Sequence, residues 1–148
     1  MSGTIEFAGE VDPKETWEKL AANPKAALVD VRSDAELAFV GVPDLSALSR
    51  NVWFVAWRKF PGMVANEAFL DEMSTRLAES GADEIFLLCR SGGRSMQAAD
   101  ALTRIQVSGE GVVKAWNVAE GFEGDLNGER RRGRVNGWKA RDLPWVQS

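Results

Sequence analysis

The chain has 148 residues, 18 basic against 22 acidic, and its net charge of −4 excludes a nucleic-acid binder held by a broad basic surface. It has no histidine, which removes Ser-His-Asp and Cys-His catalysis and every histidine metal site, and one cysteine, which removes internal disulfides, C-x-x-C redox pairs and multi-thiolate zinc sites. With 45% hydrophobic residues, the length suits one domain over 1–148 with a full core.

Met1 to Pro13 lacks a basic start followed by an apolar run, so no signal peptide is expected. No apolar run is long enough to span a membrane, and a lone thiol suits a reducing compartment, so the expected location is cytoplasmic. Ile5 to Ala8 is a weak strand candidate. Asp12-Pro13 then reads as a cap and first turn, with Trp17, Leu20 and Ala21 on one helical face. Ala26 to Val31 is an apolar run without strict alternation, as in a parallel strand covered on both faces. Ser33 and Glu36 form a capping-box pattern for a short helix through Phe39. Asn51 to Ala56 is a second weak strand. Asn66 is placed to cap a helix over Glu67 to Glu79, with Phe69, Leu70, Met73 and Leu77 inward and Gly81 as the stop. Glu84 to Cys89 repeats the buried-strand pattern, and Arg94 to Ile105 reads as a helix. Gly111 to Trp116 is a third weak strand, and Gly121 to Trp138 is an ordered loop. Strands alternating with helices predict an α/β fold with a parallel five-stranded sheet flanked by helices on both faces. Such sheets carry their sites at the carboxyl ends of strands.

The chemistry-bearing stretch is Cys89-Arg90-Ser91-Gly92-Gly93-Arg94-Ser95. An apolar strand ends at Cys89, a glycine-containing turn follows, and a helix begins. The first N–H groups of a helix lack internal partners and sit at the positive end of its dipole. Gly92 and Gly93 let the turn curl so that several N–H groups face one spot, which stabilises a thiolate, a persulfide or a bound sulfur oxyanion. Arg90 and Arg94 add guanidinium groups suited to anionic oxygens.

Cys89 to Ser95 resembles the active-site loop of the rhodanese family of sulfurtransferases. Leu28 to Arg32 resembles that family's L-V-D-V-R segment. Trp116 to Phe122 is similar to its Y-N-L-x-G-G segment, and Gly137-Trp138-Lys139-Ala140 with Leu143 and Pro144 to its ending. Val40-Gly41-Val42-Pro43 matches G-H-I-P-G-A poorly. The resemblance implies a rhodanese-like fold and a thiosulfate sulfurtransferase in which Cys89 is the nucleophile and persulfide carrier. It implies that the amides of Arg90, Ser91, Gly92, Gly93, Arg94 and Ser95 cradle the persulfide, while Arg90 and Arg94 hold the donor's oxygens. Asp30 and Arg32 are expected to be structural beside the site. The implied partners are a small anionic sulfur donor and a thiol or cyanide acceptor, with a protein donor or acceptor also compatible. Neither nucleic acid, membrane, metal nor cofactor is expected.

Two other readings compete. A non-catalytic or regulatory rhodanese-like binding module is one, although such modules commonly lose the cysteine. The other is a Cdc25-like phosphatase, which uses a longer Cys-x5-Arg loop; here Arg94 comes earlier and position 95 is serine. The run Arg130, Arg131, Arg132 and Arg134 reads as a solvated loop or a basic rim, and Trp53, Trp57 and Trp116 as packing.

Overall fold

Caps and apolar runs fix most of the elements. A computed structural model describes residues 2–108 and 111–147. In chain order they are β1 Ser2–Val11, α1 Pro13–Ala22, β2 Ala26–Asp30, α2 Asp34–Val40, β3 Val42–Pro43, β4 Trp53–Phe54, β5 Arg58–Lys59, β6 Val64–Ala65, α3 Phe69–Ser80, β7 Glu84–Leu88, α4 Gly93–Leu102, β8 Gln106–Ser108, β9 Val112–Val118, α5 Gly137–Ala140 and β10 Trp145–Val146. Asp12 caps α1 by accepting from the Glu15 amide at 2.8 Å, with Pro13 in the first turn. Gly81 stops α3 in the left-handed region at φ 68°. Asn66 lies further upstream of α3 than a cap would; its Oδ1 accepts from the Ala68 amide at 3.2 Å and the helix starts at Phe69.

The main sheet has six strands in the order β4-β2-β7-β9-β1-β8. The neighbouring pairs from β4 to β1 are parallel, and β8 runs antiparallel to β1 at the edge. The expected purely parallel five-stranded sheet is therefore corrected to a mixed six-stranded one. The physical reason lies in α4, which ends at Leu102 instead of Ile105. The freed chain turns back, and Gln106–Ser108 pairs with the start of β1.

Successive residues of the buried strands face opposite layers. Val29, Ile85 and Leu87 pack with Phe69, Met73 and Leu77 of α3 and Ala98, Ala99 and Leu102 of α4. Leu28, Phe86 and Leu88 pack on the other face with Leu20 of α1 and Trp138 of α5. The tryptophans expected to pack do so: Trp57 meets Phe69 edge-on at 5.0 Å, and Trp116 stacks on Phe86 at 6.3 Å. Register places Asp30 beside Leu88 and Leu87 beside Asn117. The carboxyl ends of β2, β7 and β9 thus lie together, with Cys89 emerging between its neighbours. Among the described residues no helix is long and apolar enough to cross a membrane.

Candidate active site

Cys89 follows β7 directly, and the turn after it closes on the start of α4. Gly92 takes φ 112°, a value that favours glycine, and caps the helix. Its amide donates to Cys89 Sγ at 3.1 Å. The backbone bond from Met96 N–H to the Gly92 carbonyl, 3.3 Å, closes the first turn of α4. The N–H groups of Gly93, Arg94 and Ser95 stand before it and have no acceptor within the helix. Of the backbone donors in this turn, the Gly92 amide is the one in contact with the sulfur. Cys89 itself is 1% exposed, deep at the foot of the turn.

Ser95, fully buried, adds a hydroxyl. Its Oγ lies 3.3 Å from Cys89 Sγ, 3.2 Å from the Gly92 carbonyl and 2.5 Å from Asn117 Oδ1. A hydroxyl carries one proton, so these three acceptors compete for it, and the shortest contact is the one to Asn117. The Asn117 amide nitrogen donates to Glu10 Oε2 at 3.2 Å and to the Gly92 carbonyl at 3.3 Å, fixing the amide's orientation. Sequence reasoning gave Asn117 no role at the site. Its signal was present: Asn117 lies in the segment that resembles Y-N-L-x-G-G, near the end of the strand beside β7.

Asp30 and Arg32 form a sealed pair with both side chains at 0% exposure. Arg32 Nη2 donates to Asp30 Oδ2 at 2.7 Å and to the Gly41 carbonyl at 2.8 Å, and its guanidinium lies 4.2 Å over the Phe122 ring. Neither side chain reaches the sulfur, which agrees with a brace beside the site. Arg32 Nη1 is buried without a hydrogen-bond partner.

Arg94 meets Glu36 in a two-pronged ion pair, 2.6 and 2.7 Å, at 17% and 19% side-chain exposure. The same carboxylate accepts from the Ser33 hydroxyl at 2.9 Å, so the capping residue of α2 also holds the cysteine loop. Burial pushes the Glu36 carboxyl up, but the Arg94 hydrogen bonds and charge, with Ser33, outweigh it and hold it at about 2. The hydrogen bond to Glu36 raises the Arg94 pKa; burial opposes it, and the charges of Glu36, Cys89 and Asp30 reinforce it. The sequence marked Glu36 as a cap alone.

This pair forms part of the wall of an open cleft of about 600 Å³. Arg90 and Arg132 line it as well, while Phe39 and Val40 of α2 and Phe60 and Met63 of the β5–β6 hairpin supply apolar surface. Of the basic run, Arg130, Arg131 and Arg134 are exposed, and Arg132 is half-buried with its Nη1 bonded to the Gly124 carbonyl.

The expected loop after β9 buttresses the site from behind. The amide of Phe122 donates to the Cys89 carbonyl at 2.8 Å, and those of Glu123 and Gly124 to the Arg90 carbonyl at 3.0 and 3.1 Å. Gly121, at φ 67°, permits this approach. A Cβ there would lie 2.5 Å from the Cys89 carbonyl oxygen and 2.6 Å from that of Arg90.

The family described as the STR4 middle domain matches residues 8–148. The chain belongs to that family. This STR4 middle domain is 34% identical over 131 residues to an uncharacterised Rickettsia conorii protein, RC0915, covering 88% of this chain and 91% of that one. It is 23% identical to the chloroplastic Rhodanese-like domain-containing protein 4 of Arabidopsis thaliana, over 94% of this chain and 26% of that larger protein. A crystal structure of Rv0390 from M. tuberculosis is 42% identical, with a TM-score of 0.79, covering 97% of this chain and all of that one.

Proposed function

We propose that this STR4 middle domain is a rhodanese-like thiosulfate sulfurtransferase that carries sulfane sulfur on Cys89. The observation that carries the reading is the Gly92 amide donating to Cys89 Sγ at 3.1 Å, at the mouth of a helix whose first N–H groups have no internal acceptor. Backbone donors at this spot suit a sulfur anion, and the chemistry calls for no histidine, which the chain lacks. The thiolate attacks the outer sulfur of thiosulfate, the sulfur–sulfur bond breaks, and sulfite leaves with the electron pair. An acceptor thiolate or cyanide then attacks the outer sulfur of the persulfide and restores the cysteine. The amides of Arg90 to Ser95 take the persulfide's negative charge. Arg90, exposed and facing the cleft, is placed to meet the donor's oxygens. Arg94 contributes its charge from within its pair with Glu36.

That pair counts against a phosphatase, which needs its loop arginine free to clamp phosphate oxygens. A non-catalytic binding module is favoured by a different observation, the 1% exposure of Cys89. Weighing the intact protein after incubation with thiosulfate separates the readings. A gain of one sulfur that is absent in Cys89→Ser is the expected result. No gain, with the fold intact, would replace the enzyme by the binding module.

A further inference from the structure

The cleft walled in part by Arg90 and Arg94 of the cysteine loop is too large and too apolar for thiosulfate alone. Thiosulfate is a compact, fully hydrated anion, whereas about 600 Å³ is the size of a site for an organic molecule. Its walls carry aromatic surface that nothing among the described residues covers: Phe39 is 82% exposed and Phe60 65%. Helix α2 has no fully buried residue; Val40 packs at the margin of the core, whereas Phe39 stays exposed. The β5–β6 hairpin bearing Phe60 is likewise exposed along Val64 and Ala65. Charge in the cleft is uneven. Arg94 and Glu36 neutralise one another, which leaves Arg90 and Arg132 against Glu123 and a net positive lip.

We infer that the cleft binds a small organic persulfide with an apolar body and a carboxylate, R–S–SH, as the sulfur donor. This rests on the sulfur-carrier reading of Cys89 and narrows its substrate class. The apolar body covers Phe39 and Phe60, and the carboxylate meets Arg90 and Arg132. The Cys89 thiolate attacks the terminal sulfur, the S–S bond breaks, and R–S⁻ leaves with its electron pair. The proton stays on the transferred sulfur, and no oxidant or reductant enters.

An inert thioether tests the binding apart from the chemistry. Calorimetry on the full chain with 3-(benzylthio)propionate should give a dissociation constant of about 0.1–1 mM. The neutral amide of the same compound should bind about ten-fold more weakly, and Phe60→Ala and Arg90→Ala should each weaken the carboxylate by about ten-fold. Absence of binding, equal affinity for the amide, or no loss in Phe60→Ala would overturn the inference. Absence of binding together with sulfur accepted from a persulfidated peptide would overturn it in favour of a macromolecular donor. The two readings fail separately. Thiosulfate loading without probe binding removes only the organic donor. Probe binding without any sulfur on Cys89 removes the transferase and leaves the ligand site.

Discussion

Two ion pairs stand near the end of β2, and they differ in one physical respect. Asp30–Arg32 is sealed at 0% exposure, whereas Glu36–Arg94 stands in the cleft wall at 17% and 19%. The sealed pair is held on several sides, by the Arg32 backbone amide, the Gly41 carbonyl and the Phe122 ring. It ties β2 to the turn after α2 and does not touch the cysteine loop. The cleft pair does, because Arg94 belongs to the first turn of α4. One pair therefore holds the sheet end rigid, and the other connects a helix with no fully buried residue to the loop that cups the sulfur. Desolvated charges are costly to leave alone, and half-solvated ones are less so.

Breaking the sealed pair should have the largest effect. Asp30→Asn leaves the Arg32 guanidinium buried without a counter-charge, beside an Nη1 that already lacks a partner. A loss of about 4 kcal/mol is expected in urea unfolding. A loss below about 1 kcal/mol would mean that water or another group reaches Arg32, and the contrast between the pairs would disappear. Gly121→Ala comes next, at about 3 kcal/mol, from a clash with the Cys89 and Arg90 carbonyls added to a left-handed backbone. Because that clash bears on the cysteine loop itself, sulfur loading of the folded fraction should also fall. Unchanged loading and stability would show that the loop yields freely.

The elements that were legible in advance are those with local signals. Asp12-Pro13 and Ser33 with Glu36 announced their helices, and the apolar runs announced β2 and β7, because caps and burial act over a few residues. The glycine turn after Cys89 was legible for the same reason. What escaped depends on tertiary meeting. Arg94 finds Glu36 58 positions away, Ser95 finds Asn117 22 positions away, and Gly121 meets the Cys89 carbonyl across the sheet end. The β8 edge strand escaped because three residues carry too little periodicity to register.

Glu36→Gln sharpens the comparison from the other side. The carboxyl is held at about 2, below its usual 4.5, so the ionised form is favoured by folding. Its contribution is fully present above about 4.5 and is lost as pH falls toward about 2. After allowance for partial exposure, Glu36→Gln should cost about 2 kcal/mol at neutral pH. The difference between the variant and the parent chain should shrink steadily when unfolding is followed below pH about 4.5. A difference that does not change with pH would mean that the loss comes from the Ser33 cap and not from the ion pair.

The smallest effect calibrates the others. Arg104 and Asp100 form a third pair at 2.8 Å, spaced i,i+4 across the C-terminal end of α4, with side chains 76% and 63% exposed. Its distance is close to that of the sealed pair, 2.7 Å, so geometry alone would rank the two alike. Solvation ranks them far apart, because water around Asp100 already satisfies the carboxylate and mobile ions screen the attraction. Asp100→Asn should therefore change stability by about 0.3 kcal/mol, and added salt should reduce even that. A loss near that of Asp30→Asn would show that contact distance, and not burial, sets the strength of ion pairs in this fold. The distinction between the brace under β2 and the link across the cleft would then have no physical basis.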